Sequence, residues 1–395
     1  MKFVTCLILF YLSSIVWLAG IEASYFMTTS DMGQNVCFID KTIQMDAQNY
    51  KMIVDQGYSY SDTKRSLVAF FPLFPLLCSI VRYITGFSSE ISLIVVANLF
   101  YVLSLMVLVA RDSKIANNWH LVLLCIFPSC FYFRFGYAES TLLFFLSIFL
   151  TGISRNWSIW VLSIIAGAAS ATRPVGIAPA IVVLWIAKRA FSRDMQVIRY
   201  GKSIYLLKII LILILSCWGL IGYMLYLWYA FDNPFAYITT QVHWKYLAPE
   251  NYTFLEKALS LLTLEPIWNV YNPNSARYWI NGDTHDSLLF SCSFWNPILY
   301  MFSWVLIGIG VFNKWLKDYE ILLSVLLLLI PYVTRGFEMS MASHARFAAI
   351  AVPQYYVLGR LFASIPYTIV SSICGILCLL MGFWTAMFCA GFAFF

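Results

Sequence analysis

Charged side chains are scarce in this sequence. Only 11% of its 395 residues are Asp, Glu, Lys or Arg, whereas 61% are hydrophobic; soluble domains carry about 25% charged residues. A chain with so little charge cannot cover its surface with side chains that face water, which excludes an ordinary soluble domain. Because apolar runs of bilayer length recur from end to end, the sequence predicts one all-α integral membrane domain over residues 1–395.

A basic patch is also lacking, although the net charge is +6. The lysines and arginines are spread over short segments between apolar runs, where such residues set the orientation of a membrane protein. We therefore expect membrane lipids as partners and no nucleic acid.

The cysteines form no CxxC pair and no Cys/His cluster, although there are ten of them. Most lie inside apolar runs, where a cysteine acts as a small buried apolar residue; examples are Cys78, Cys217, Cys374, Cys378 and Cys389. The pattern indicates neither a disulfide framework nor a metal site. We expect no cofactor, without excluding a divalent metal.

Apolar stretches alternate with two long polar segments, 23–65 and 232–290. The apolar stretches fall near 3–22, 66–84, 89–110, 119–134, 139–153, 157–171, 174–190, 204–231, 291–312, 319–334, 347–363 and 367–394. The first of them has the form of a signal peptide, but we expect it to be retained as a transmembrane helix because the rest of the chain is polytopic.

The basic segment from Lys188 to Lys202 should be cytoplasmic. If the N-terminus is cytoplasmic, the basic residues in the other short turns are also cytoplasmic only when one early apolar stretch does not cross the membrane. The best candidate is 66–84, where Pro72 and Pro75 remove backbone donors that lipid cannot replace. The prediction is a bundle of about 11 transmembrane helices with two extracytoplasmic loops: 23–88, which includes the non-spanning helix 66–84, and 232–290.

This topology brings several ionisable residues to the outer membrane face. Charged and titratable groups at membrane depth are costly and are often functional. The predicted set is Asp46, Glu139, Arg173, His243, His285, His344 and Arg346.

Asp46 is the first candidate for chemistry. It precedes a short amphipathic segment that contains Tyr50. A partly desolvated carboxylate at the bilayer surface could take the proton of a sugar hydroxyl during attack on an anomeric carbon. The alternative is that Asp46 only caps the helix that follows.

Glu139 and two arginines form the second group of candidates. Glu139 follows Tyr137 at a turn between helices, where capping explains an acid equally well. Arg173 and Arg346 each precede a helix at the outer face. An arginine there could hold a lipid phosphate through a bidentate contact, or it could extend to lipid headgroups.

Gln241, His243 and Trp244 lie close together just after an apolar run. The indole of Trp244 could stack on a sugar ring. An interfacial aromatic belt is an equally good explanation of this cluster.

In their order along the chain, these motifs resemble the family of the second GPI mannosyltransferase (the PIG-V type), within the GT-C membrane glycosyltransferases. The resemblance spans nearly the whole chain and favours a bacterial member. The matching residues are Asp46, Ala47, Tyr50, Gly57, Tyr58, Ala69–Pro75, Pro128, Tyr137, Glu139, Ala171–Arg173, Gly176, Asp232, Pro234–Ala236, Gln241, Trp244, Arg346 and Phe347.

Four positions depart from the family pattern. Met45 stands where the family has tryptophan, Asn49 where it has histidine, Ala138 where it has serine, and Phe231 where it has glycine. The first two replacements indicate either a different acceptor or a protein that no longer catalyses transfer.

The resemblance implies a GT-C-type bundle and an inverting transfer of one hexose, which in this family is mannose, from a polyprenyl-phosphate donor (undecaprenyl or dolichyl) to a lipid or glycan acceptor. Asp46 would be the base, and Glu139 would orient the acceptor or assist. Arg173 and Arg346 would bind the donor phosphate. Five further residues would contact the acceptor or the sugar: Tyr50, Tyr137, Gln241, His243 and Trp244.

Two other functions stay open at this point. A flippase for lipid-linked sugars would have charges near the bilayer midplane and paired halves, and neither pattern is found in this sequence. A non-catalytic subunit of a glycosylation complex is indicated only by Met45 and Asn49. The short connections favour a bacterial inner membrane; in the alternative, the endoplasmic reticulum, Asn251-Tyr252-Thr253 would be an outward glycosylation site.

Overall fold

The computed structural model describes residues 2–27, 37–111, 118–191, 202–244, 253–282 and 291–391, and these ranges contain helices and no β-strand. The α-helices are α1 Lys2–Met27, α2 Phe38–Thr42, α3 Asp46–Gln56, α4 Leu73–Thr85, α5 Ser89–Arg111, α6 Trp119–Ile126, α7 Glu139–Ser154, α8 Ile159–Ser170, α9 Ala178–Phe191, α10 Lys202–Ser216, α11 Trp218–Phe231, α12 Ala236–Thr239, α13 Phe254–Leu262, α14 Glu265–Trp268, α15 Trp279–Gly282, α16 Cys292–Phe312, α17 Asp318–Pro331, α18 His344–Ala349, α19 Val352–Ala363 and α20 Tyr367–Cys389.

The helices fall into two compact units. Unit 1 comprises Met1–Met45, Lys114–Phe135 and Trp244–Phe395, and unit 2 comprises Asp46–Ser113 and Gly136–His243. Short 3-10 turns interrupt the helices, and the segment after α17 is a π-helical turn; these are Leu67–Ala69, Pro128–Phe133, Pro174–Ile177, Thr240–Trp244, Asn269–Tyr271 and Tyr332–Gly336.

Within the described ranges, five helices are long and apolar enough to cross a membrane. They are Val4–Met27, Ser89–Arg111, Ser293–Phe312, Asp318–Gly336 and Tyr367–Cys389. A sixth candidate consists of α10 and α11, which are bent by 67° and break the apolar stretch predicted over 204–231. The chain is thus an all-α protein with helices suited to a membrane. The prediction of about 11 crossings stays a prediction, since it needs helices such as the 16-residue α7, which spans about 24 Å against a hydrocarbon core of about 30 Å.

In unit 2, α5 and α7 run side by side in the same direction. Near their beginnings, Leu93 of α5 lies against Gly136, just before α7. Near their ends, Arg155 donates a hydrogen bond to the Ala110 carbonyl at 2.8 Å. Because α8 returns from the end of α7, the beginnings of α5 and α7 and the end of α8 lie together, and we call this region the motif end of unit 2.

The stretch 66–84, predicted as a non-spanning helix, contains α4, which begins at Leu73 instead of residue 66. The later start has a simple cause: Pro72 lies just before the first helical turn, where its missing N–H costs no hydrogen bond. At 13 residues, α4 spans about 20 Å. Its inner face buries Phe74 and Cys78, while Ile80 and Tyr83 are exposed. That this helix does not cross the bilayer stays a prediction.

A glycine contact fixes α8 against α11. A Cβ added to Gly219 of α11 would lie 2.4 Å from the Gly167 carbonyl oxygen of α8 and 2.5 Å from the Ala171 Cβ. A Cβ on Gly222, one turn later, meets nothing within 4 Å. The two helix backbones therefore approach closely at Gly219 and not at Gly222.

Gly219→Ala should lower the stability of the protein, because the new methyl group must push the two helices apart. We expect a loss of about 1–3 kcal/mol, measured as a lower unfolding midpoint in detergent. Gly222→Ala is the matched control on the same helix and should leave stability unchanged or raise it by up to about 1 kcal/mol. Equal midpoints for the two variants would contradict the close approach.

In unit 1, α1 packs along α20 and also binds a buried arginine. Arg134 is only 1% exposed. Its guanidinium donates hydrogen bonds to Ser13 at 2.5 Å, Ser14 at 2.8 Å and the Phe10 carbonyl at 3.0 Å. Arg134 lies five residues before Glu139 in the sequence, and its side chain joins α1 in the interior of unit 1.

Candidate functional site

An ion pair between Glu139 and Arg173 forms the centre of the motif end. Glu139 is the first residue of α7 and its side chain is 1% exposed, while that of Arg173 is 15% exposed. Arg173 Nη1 donates to Glu139 Oε1. The helix N-terminus favours the carboxylate, and Pro174 begins the turn that directly follows Arg173. The structure thus brings together two predicted site residues that are 34 positions apart.

The backbone of the segment Phe70–Leu73 is hydrogen-bonded to the motif end of unit 2. The Leu73 N–H donates to the Ala171 carbonyl at 3.0 Å. This bond links the beginning of α4 to the turn that carries Arg173. Two motifs that are almost 100 residues apart in sequence therefore share one hydrogen bond.

The helix that begins with Asp46 also reaches the motif end. The Ala47 Cβ lies 3.4 Å from the position that a Cβ on Gly136 would occupy. Asp46 is half-buried in the first turn of α3, where the helix dipole stabilises a carboxylate. Met45 before it has φ of 53°, a left-handed conformation that is costly for this residue type. Backbone strain of this kind is often found at functional sites.

Tyr50 and Tyr137, predicted to contact sugar, are packed inside unit 2. Tyr50 is 4% exposed and meets the rings of Phe70 and Phe74 edge-on, with centroids 5.0 and 4.9 Å away. Tyr137 is buried next to Glu139. Both side chains are buried in this conformation, and their contact with a sugar stays a prediction.

The segment after α11 lies on the loop that precedes α4. Tyr60 accepts a hydrogen bond from Asn233 at 3.0 Å. His243 Nε2 lies 2.8 Å from the Asp62 carbonyl, and Arg65 donates to the His243 carbonyl at 3.0 Å. His243 therefore connects two loops of unit 2.

The other two residues of the predicted sugar-binding cluster have different surroundings. Gln241 donates from Nε2 to the Tyr237 carbonyl at 2.9 Å, within its own segment. Trp244 is half-buried and falls in unit 1. The roles of Gln241, His243 and Trp244 toward a sugar stay predictions.

Two tyrosine hydroxyls hold the backbone of the segment before α4. Tyr58 donates to the Phe70 carbonyl at 3.0 Å, and Tyr223 donates to the Val68 carbonyl at 2.8 Å. Burial raises the pKa of the Tyr58 phenol, so this hydroxyl keeps its proton. The sequence had marked Tyr58 beside Gly57. It gave no sign of Tyr223, which lies inside an apolar run.

Arg346 and His344 belong to unit 1. Arg346 is 7% exposed and its guanidinium lies 5.6 Å from the ring centre of Tyr132. His344 is fully buried, and burial lowers its pKa to about 4, so the ring is neutral at pH 7. The binding of a phosphate by Arg346 stays a prediction, and His285 and Asn251–Tyr252 lie outside the described residues.

In the part of the chain that the structure describes, no group of three or more His, Cys, Asp or Glu side chains is placed to hold a metal ion. No protein-family model matches this chain, and no curated protein matches it either.

Proposed function

We propose that this protein is a membrane glycosyltransferase that transfers a hexose from a polyprenyl-phosphate donor to a lipid- or glycan-linked acceptor. The hexose that we propose is mannose. The observation that carries the proposal is the meeting of separate motifs at the motif end of unit 2. Three features lie at this end: the turn beside Asp46, the carboxylate of Glu139 and the guanidinium of Arg173. A transferase of this kind needs a base, an anchored cation and a fixed geometry between them.

Asp46 fits the role of base better than Glu139. Glu139 is almost fully buried, and Arg173 holds one of its oxygens, so an acceptor cannot easily reach it. Asp46 is half-buried, which leaves a path for a sugar hydroxyl. In this scheme Glu139 positions Arg173, a narrower role than the sequence indicated.

The proposed reaction is a single displacement. The acceptor oxygen attacks the anomeric carbon and gives its proton to Asp46, while the bond from that carbon to the phosphate oxygen breaks. The electron pair leaves with the polyprenyl phosphate. A guanidinium has five N–H donors, so Arg173 can bind Glu139 and stabilise the charge on a departing phosphate oxygen at the same time.

The proposal includes a topology of about 11 crossings, with the motif end on the extracytoplasmic side of a bacterial inner membrane or the endoplasmic reticulum. The position of α4 supports a motif end that lies beside lipid. Its backbone joins the turn of Arg173, and its exposed apolar side chains include Leu76, Ile80 and Ile84. A donor whose polyprenyl chain stays in lipid would thus have an apolar surface next to the phosphate site.

The test is transfer by the purified full chain in vesicles. The probe is polyprenyl-phosphate mannose with a radioactive sugar, and a total membrane lipid extract supplies acceptors. We expect the label to move into a product that mild acid does not release, and only when the extract is present. Label that crosses the bilayer while still attached to the donor would instead show a transporter, and label that stays on the donor outside would overturn the proposal.

A further inference from the structure

A short helix in unit 1 has an apolar side that the described part of the chain does not cover. We propose that α13, Phe254–Leu262, lies flat in the surface layer of the membrane with this side in lipid. The inference concerns membrane attachment and does not depend on the transferase activity.

The exposed apolar side chains of α13 form a stripe. Leu255, Leu259 and Leu262 are 66, 51 and 80% exposed, and their spacing of four and then three residues places them on one helix face. Phe254, at the first position, is 89% exposed. Four large apolar side chains on a nine-residue helix are unusual for a surface in water.

The opposite side of α13 is docked on the end of a candidate membrane span. Tyr332 donates its hydroxyl proton to the Leu261 carbonyl at 2.9 Å, and Lys257 forms an ion pair with Glu338 at 3.3 Å. The candidate span Asp318–Gly336 ends between these two contacts. A helix attached at the end of a span lies at the level where hydrocarbon gives way to headgroups.

Exposed apolar side chains are also found on the neighbouring elements of unit 1. Val333, beside Tyr332 on the span, is 53% exposed, and Trp268, which follows α13, is 48% exposed. Tryptophan favours the membrane interface. Exposed apolar side chains at the end of a candidate span and on the helix attached to it fit lipid as their occupant better than a protein partner.

The beginning of α13 is well fixed, which an anchor requires. The Thr253 hydroxyl accepts a hydrogen bond from the Glu256 N–H at 3.3 Å, and the Thr253 N–H donates to the Glu256 carboxylate at 2.7 Å. This reciprocal capping box supports a helix that would be too short to form alone. The leucine stripe is therefore held in one orientation. Amphipathic helices with such faces bury them about 5–10 Å into the boundary between headgroups and acyl chains.

The experiment places an environment-sensitive fluorescent amino acid at single positions of the full chain by stop-codon suppression. The chain is reconstituted in vesicles of phosphatidylcholine brominated at the middle of the acyl chains. We expect quenching at Leu255 and Leu262 to be several-fold stronger than at Thr263, the exposed polar residue directly after the same helix. Val305, 54% exposed on the candidate span Ser293–Phe312, is the lipid-facing reference.

A second measurement uses the unaltered chain, so that a misfolded variant cannot decide the result. A lipid-soluble photoactivated carbene reagent should label Leu255 and Leu262 more than Thr263, as quantified by mass spectrometry. Equal quenching and equal labelling at all three positions would overturn the proposal. So would a stripe that neither probe reaches in vesicles of the purified chain, since water or protein would then cover it.

Discussion

Asp46→Asn should lower the rate of sugar transfer by about 10²–10⁴-fold, the usual contribution of a general base. The amide has nearly the same shape as the carboxylate but cannot take the proton of the acceptor hydroxyl. Because Asp46 is half-buried at the beginning of α3, the substitution should disturb packing little. The measurement is initial transfer rate from labelled polyprenyl-phosphate mannose at equal amounts of folded protein.

Asp55→Asn is the matched control, since it removes a carboxylate from the same helix. Asp55 lies near the other end of α3 and pairs with Arg82 at 2.9 Å. Its loss should lower stability slightly, because an exposed ion pair contributes about 0–1 kcal/mol, and should leave the transfer rate unchanged. An Asp46→Asn protein as active as the unaltered chain would remove Asp46 from the mechanism.

The helical architecture was largely predictable, because it follows from composition. Low charge and recurring apolar runs predicted an all-α chain with membrane helices, and the structure confirms this. Pro72 and Pro75 singled out one early stretch as short, and the helix there has only 13 residues. Apolar character alone did not predict the break between α10 and α11. Gly219, close to this break, contacts another helix, and hydropathy does not report such a contact.

The sequence singled out the residues of the candidate site, whose roles stay predictions, but it did not predict their contacts. Order along the chain selected Glu139 and Arg173 separately, as an acceptor-orienting acid and a phosphate ligand. Only the three-dimensional arrangement shows that they pair. Arg134 illustrates the opposite case: it lies near Glu139 in sequence, yet its side chain binds serines of α1. Hydropathy and spacing do not encode which way a side chain turns at the end of a helix.

Arg173→Met should have the largest effect on stability, because it removes the guanidinium that pairs with the buried carboxylate of Glu139. Breaking a buried pair by removing one partner costs about 3–5 kcal/mol. We expect a much lower unfolding midpoint in detergent, and the same direction for Glu139→Leu, which leaves the arginine without its anion. Midpoints near that of the unaltered chain for both variants would contradict a buried ion pair at this position.

The double variant separates folding from catalysis. Glu139→Leu combined with Arg173→Met replaces the pair by apolar side chains, and such replacements are often neutral for stability. The double variant should therefore recover most of the unfolding midpoint that each single variant loses. Transfer should not recover with it, because the guanidinium of Arg173 that stabilises the departing phosphate in the proposed reaction is gone. A double variant that regains both stability and full transfer would show that the ion pair is purely structural, and the phosphate would then need another ligand.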